Sequence, residues 1–240
     1  TLRPLSGTPR LRVRLRPTFD YGARRPEITR GSNHIRYMLP EESLRLTTDV
    51  PVTCILDEIP FVLDAPRTLV LGPDESLQRS VSEMAAHYLA ETDAYWQEWV
   101  RYLSLPLEWQ DAIIRAAITL KLSSFEETGA VIAAATTSLP EAQGSGRCWD
   151  YRYCWLRDAY FTVHALNRLG VTRTMEGYLS YITNIVAAAD DGYLQPVFGI
   201  SFESELTERT VDTLDGFEGN GPVRVGNDAF RQVQNDGYGS

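Results

Sequence analysis

The hydrophobic period of the chain changes once, near Pro73, and that change limits what it can fold into. Upstream, short runs rich in β-branched and aromatic residues alternate with turn signals: LRVRLRP, HIRYML, SLRLTTDV, VTCIL, IPFVL and RTLVL. The punctuation includes Tyr21-Gly22, Arg30-Gly31-Ser32-Asn33 and Leu71-Gly72-Pro73. Period two sends successive side chains to opposite faces, and short strands at this spacing build an antiparallel sandwich. Downstream, apolar residues recur at three- and four-residue steps, the pattern of amphipathic helices. The chain therefore reads as a multidomain α and β protein. A partial N-terminal β-sandwich is expected over 1–72, a linker helix over 73–104 and a helical unit over 105–240.

The long helix carries Leu77, Val81, Met84, Tyr88, Tyr95, Trp99 and Tyr102, with Thr92 interrupting its stripe. A second should start near Pro106, welcome in a first turn, and present Trp109, Ile113, Ala116 and Leu120. The third is predicted from Asp158 to Leu169, with Ala159, Val163, Leu166 and Leu169 on one face and Gly170 as the stop. The fourth spans Arg173–Ala189 through Met175, Tyr178, Leu179, Ile182 and Val186, ended by Asp190-Asp191-Gly192, and a fifth is predicted over Asn227–Asn235. Three long connections separate them, TTSLPEAQGSGRCWDYRYCW, DGYLQPVFGI and TLDGFEGNGPVRVGN. Helix pairs with long loops at one end point to a layered helical barrel or toroid, and loops of this length carry function.

Net charge is −9, yet Thr1–Leu39 holds nine arginines against Asp20 and Glu27. In LRVRLRP the arginines alternate with Leu11, Val13 and Leu15, which reads as an exposed strand face. The acidic remainder would repel phosphates, so no nucleic acid is expected as a partner. No apolar run approaches the roughly 18 residues of a membrane helix, so no membrane is expected either. Cys54, Cys148 and Cys154 fit neither a disulfide framework nor a zinc site, and His34, His87 and His164 form no HExxH arrangement. They read as buried or half-buried cysteines in a reducing compartment, and neither a metal nor another cofactor is expected. Thr1–Arg16 has no secretory h-region, and the expected location is the cytoplasm. Export is the alternative, because the chain opens on Thr and its start is expected to lie upstream.

The densest chemistry lies in RCWDYRYCWLRDAYF, Arg147–Phe161, where two tryptophans, four other aromatic rings, three arginines and two aspartates share fifteen residues. Such a mixture suits a ligand with apolar faces and many hydroxyls. Rings stack on the C–H faces of a sugar, an arginine donates in a fixed fork, and a carboxylate accepts from two hydroxyls. Trp149, Tyr151, Tyr153, Trp155, Arg157 and Asp158 supply these groups. An equally open reading makes Asp158 a helix cap, Arg157 its surface partner and the rings core.

WDYRYCWLRDA resembles the signature of glycoside hydrolase family 15, which comprises glucoamylases, glucodextranases and bacterial trehalases. GAVIAAATTSLPE, GPVRVGNDAFRQVQNDGYG and, near the beginning, RPTFDYGARRPEI extend the resemblance in the same order. It implies the first part of an (α/α)6 catalytic barrel after the sandwich. It also implies that Arg157 and Asp158 hold the 4- and 6-hydroxyls of a terminal glucose while Tyr151 and Trp155 line its subsite, with α-glucan oligosaccharides or trehalose as partners. Gln234 and Asp236 match the family's QND run beside the pocket entrance, and Phe230 falls where fungal members place a tryptophan. The family implies an inverting mechanism with two glutamates. No Gly-x-Trp-Glu-type segment occurs here, so no catalytic residue is expected within the chain and both are expected after Ser240. Glu203, Glu205, Glu208 and Glu218 read as solvated surface, Asp150 as orienting its loop, and Arg224 as structural or as backing a residue that touches the sugar. The glycines of GFEGNGPVRVGN are expected to let backbone approach a sugar, and TTSLPE to form pocket wall. The function expected is exo-acting, inverting α-glucoside hydrolysis. The alternatives are a catalytically silent sugar-binding fragment and a glycoside phosphorylase on the same toroid.

Overall fold

The computed structural model describes residues 1–189 and 193–235, in two compact units, Thr1–Gln97 and Glu98–Ser240. The first runs β1 (Arg10–Leu11), β2 (Glu27–Arg30), β3 (His34–Met38), β4 (Ser43–Thr48), α1 (Val52–Leu56), β5 (Phe61–Val62) and β6 (Leu69–Pro73). β2, β3, β4 and β6 form an antiparallel sheet in that order, and β1 pairs with β5. Strict alternation in β3 buries Ile35 and Tyr37, and Ile35 stands opposite Leu46 of β4. These three meet Val50 and Ile55 in one core. On the other face Arg36 stands opposite Arg45, a repulsive placement that Asp74 offsets by pairing with both, at 2.9 and 3.7 Å.

LRVRLRP keeps its predicted sidedness but little of its ladder. Only Arg10–Leu11 pairs as strand, while Val13 and Leu15 pack on the core and Arg14 and Arg16 reach Glu58 from outside. VTCIL, predicted as a strand, is the short helix α1. Pro51 sets its start, and helical spacing turns Val52, Ile55 and Leu56 towards the same core.

α2 (Val81–Arg101) starts at a capping box: the Ser80 main-chain N–H donates to Glu83, and the Glu83 N–H donates to Ser80 Oγ. None of its residues is buried, and Tyr88 and Tyr95 on the predicted stripe are about half exposed. The second unit continues with α3 (Gln110–Leu122), β7 (Thr137–Pro140), β8 (Cys148–Asp150), β9 (Cys154–Trp155), α4 (Leu156–Arg168), α5 (Thr172–Ala188), β10 (Val197–Phe198), β11 (Arg209–Thr210) and β12 (Arg224–Val225). Ala159 and Val163 of α4 and Tyr178, Tyr181 and Ile185 of α5 form its main core with Ala130, Val131 and Phe198. Leu103, Ala117 and Leu166 form a second, with Trp99 against it.

Several helix expectations shift. α3 starts at Gln110, and Trp109, predicted on its apolar face, sits at its N-terminal cap with φ +63° and its side chain exposed. The packed face runs through Ile114, Ala117 and Leu120 instead. α4 begins at Leu156, two residues before the expected start, and Gly170 at φ +83° closes it as predicted. On α5 the buried line is Thr174, Tyr178, Tyr181 and Ile185, leaving Leu179 and Val186 exposed. The helix predicted over 227–235 is one 3-10 turn, Asp228–Arg231. Asn227 caps it by accepting from the Ala229 N–H, and Gln232 is already extended. Asp190, Asp191 and Gly192 lie outside the described residues. Among the described residues no helix is long and apolar enough to cross a membrane.

Candidate functional site

TTSLP and CWDYRY fold as an irregular hairpin. β7 pairs antiparallel with β8, with a register shift at Ser138, whose φ is +60°. The pairing continues through Ala134 N–H to Tyr151 O and Ala133 N–H to Tyr153 O, both 3.0 Å. Period two then sorts the segment. Cys148 and Asp150 turn inward and are fully buried, whereas Trp149 turns to the other side and lines a cleft. β9 pairs with β10, and the chain enters α4 directly, so Arg157 and Asp158 fall in its first turn, where an acidic residue is stabilising. Trp155 is the N-cap residue and no side chain caps the helix. Asp158 is therefore not a cap.

The cleft encloses about 280 Å³. Trp149, Tyr151, Trp155, Arg157 and Asp158 all line it, so five of the residues singled out in the sequence share one concave surface. Arg157 Nη2 donates to Asp158 Oδ2 at 3.1 Å, with the two side chains 43% and 40% exposed. The Tyr151 and Trp155 rings are 5.9 Å apart and tilted by 49°. Burial, and then the neighbouring Glu141 charge, push the Tyr151 phenol above its ordinary value, so the hydroxyl stays a donor.

Tyr153 and Phe230 do not line the cleft. They pack behind it against the cluster of Trp155, Val197 and Leu206. Gln234 donates through Nε2 to Gln232, which does line it. Asp236 lies outside the described residues. Asp150 orients its loop as expected. Its carboxylate accepts from Arg152 and from the Gly226 N–H, and its carbonyl accepts from Asn227.

Five polar lining residues were not predicted as site residues: Glu141, Glu208, Asn227, Asp228 and Gln232. Glu141 ends the TTSLPE run read as pocket wall. Glu208, read as solvated surface, is 21% exposed and pairs with Arg224 at 2.8 Å. That arginine also donates to the Gly146 and Cys148 carbonyls and lies 4.7 Å over the Trp149 ring. Within the glycine-rich loop, Gly226 packs against neighbouring backbone while Gly219 has open space around it. At Gly226, φ +85°, an added Cβ would meet the Thr207 carbonyl oxygen at 2.2 Å. Among the described residues no cluster of His, Cys, Asp and Glu is placed to hold a metal ion.

A larger groove of about 370 Å³ between α4 and α5, lined by Tyr160, His164, Asn167, Leu179 and Ile182 among others, is mostly apolar and holds no arginine. The smaller cleft has rings for C–H faces and paired polar groups for adjacent hydroxyls, the two requirements of a carbohydrate-active surface. The profile of glycosyl hydrolases family 15 matches residues 109–240, and the chain belongs to that family. It is 31% identical to a trehalase of Thermoplasma volcanium over 95% of its own length and 37% of the relative's. It is 33% identical to a trehalase of Mycolicibacterium smegmatis over 100% and 38%. Against trehalase 1 of Sulfolobus acidocaldarius it is 30% identical over 94% and 40%. The chain thus spans about two fifths of the length of these curated relatives. No solved structure matches it significantly.

Proposed function

We propose that this chain is the sugar-holding part of an inverting α-glucoside hydrolase whose substrate is trehalose. Membership in the family and the trehalase relatives support the reaction class and the substrate. The observation that carries the reading is that Arg157 and Asp158 stand on one concave surface with Tyr151 and Trp155. In this reading Arg157 donates in a fork to adjacent hydroxyls of a terminal glucose, Asp158 accepts from them, and the rings cover its C–H faces. Gripping the far hydroxyls positions the anomeric carbon, so remote binding is turned into rate. It also makes the action exo, since a chain interior has no free terminal hydroxyls to offer.

Inversion requires an acid that protonates the bridging oxygen and a base that activates water, with carboxyls roughly 6.5–9.5 Å apart. Glu141 and Glu208 are engaged by Arg147 and Arg224 and are not assigned these roles. Both catalytic carboxylates are proposed to come from loops following residue 240, in a six-hairpin barrel of which 105–240 is the first part. The test is Asp158→Asn in the whole protein, with trehalose, maltose and isomaltose as substrates. Loss of charge-assisted bonds worth about 1.5–3 kcal/mol each should lower kcat/KM at least roughly a hundredfold. Near-normal hydrolysis would refute the assignment.

A further inference from the structure

Trp149 is held from two sides. At its edge the indole Nε1–H donates to Glu141 Oε1 at 3.0 Å, and over its face lies the Arg224 guanidinium. The same Glu141 oxygen accepts from the Tyr151 hydroxyl at 3.4 Å, and its other oxygen pairs with Arg147 at 2.7 Å. Main-chain bonding from the Glu141 N–H to the Arg147 carbonyl, 3.0 Å, closes the connection between β7 and β8 at the same point. One carboxylate therefore ties both ends of this connection to two rings of the cleft wall.

We infer that Glu141 is the positioning residue of this ring wall, setting Trp149 and Tyr151 before a sugar arrives. The inference rests on the sugar-site reading above. A half-buried ring lining a cleft keeps rotamer freedom, and one not held beforehand must be ordered during binding, which weakens affinity. An ionised acceptor makes the stronger bond to an indole or phenol donor. With one oxygen shared between two ring donors and the other on an arginine, Glu141 acts through the rings and not on the glycosidic bond.

The test is a mutant cycle in the whole protein, with trehalose as the probe. Glu141→Ala should raise KM roughly tenfold while kcat stays within about threefold, the signature of lost uniform binding. Glu141→Gln, which retains an acceptor oxygen for the indole, should recover most of that loss. In a Trp149→Phe/Tyr151→Phe background the rings remain and their polar hydrogens are gone, so Glu141→Ala should add less than about twofold. An undiminished loss there overturns the inference, because Glu141 would then act on the sugar or the fold directly. Near-UV circular dichroism decides the point without turnover. Glu141→Ala should perturb the tryptophan bands of the parent and leave those of Trp149→Phe unchanged, and equal perturbation of both overturns the inference. Normal trehalose hydrolysis by Asp158→Asn would remove the sugar-site reading and leave the dichroism comparison standing by itself.

Discussion

Replacing Asp150 with Asn should destabilise the second unit out of proportion to a one-atom change. Asp150 is fully buried, and its two oxygens serve four donors. Oδ1 accepts from the Arg152 N–H at 3.2 Å and from Arg152 Nε at 2.9 Å. Oδ2 accepts from Arg152 Nη2 at 2.8 Å and from the Gly226 N–H at 3.2 Å. An asparagine turns an amino group towards two of those donors and removes the charge opposing Arg152. Breaking a buried pair by altering one partner costs about 3–5 kcal/mol. Because the Arg152 side chain is 32% exposed, water takes over part of its solvation, which places the expected loss near the lower end, about 3 kcal/mol. Urea unfolding followed by tryptophan emission is the assay, since four of the five tryptophans lie in the second unit. The midpoint should fall at constant slope. Arg152→Gln on the Asp150→Asn background should cost far less than on the parent, because the two residues form one network. A loss below about 1 kcal/mol for Asp150→Asn, or additive losses in the cycle, would refute the view that this pair fixes the loop behind the cleft.

Gly129→Ala should be worse than Gly144→Ala. Both positions have positive φ, +87° and +70°, but a Cβ at 129 would sit 2.0 Å from the Gly177 carbonyl oxygen whereas one at 144 meets nothing within 4 Å. The left-handed backbone alone costs about 1–2 kcal/mol, so paired thermal scans showing equal losses would refute the close approach. Stability should also fall at alkaline pH. Burial pushes the Cys154 thiol from 9.0 up to about 11, so its contribution is full below the unfolded value and is lost as pH rises through the folded one. The Tyr178 and Tyr181 phenols, also raised by burial, extend the loss to higher pH. A flat unfolding midpoint from about pH 8 to 11 would refute this.

What the sequence revealed depended on how many patterns a segment could satisfy. Strict alternation in HIRYM admits one buried face, and Ile35 and Tyr37 occupy it. The aromatic and charged density of 147–161 pointed to the cleft, which takes five of its side chains, while Cys148, Asp150 and Cys154 of the same segment are buried. α5 was less legible, since its lines through Tyr178–Tyr181–Ile185 and through Leu179–Ile182–Val186 are both apolar. Only the packing against α4 selects between them. Glu208 could not be told from its acidic neighbours, because its distinction is an arginine sixteen residues away that a strand pairing brings to it. Trp109 was misplaced because periodicity treats a cap position with positive φ like any other turn of a helix.

The same fifteen-residue segment holds two Arg–Asp pairs, and they differ in burial. Asp150 is fully buried, and the Arg152 side chain grips it through two bonds, so separating them leaves a charge stranded without solvent. Such a pair can hold a loop and cannot exchange partners. Arg157 and Asp158 meet at 3.1 Å, each about two-fifths exposed, and the ion pair itself contributes little to the fold in that setting. Their backbone positions are nonetheless fixed, because Leu156 before them is buried and its carbonyl accepts from the Tyr178 hydroxyl at 3.1 Å. Fixed backbone beneath side chains that line a cleft is what the proposed sugar site requires, and of the two pairs only 157–158 lines it.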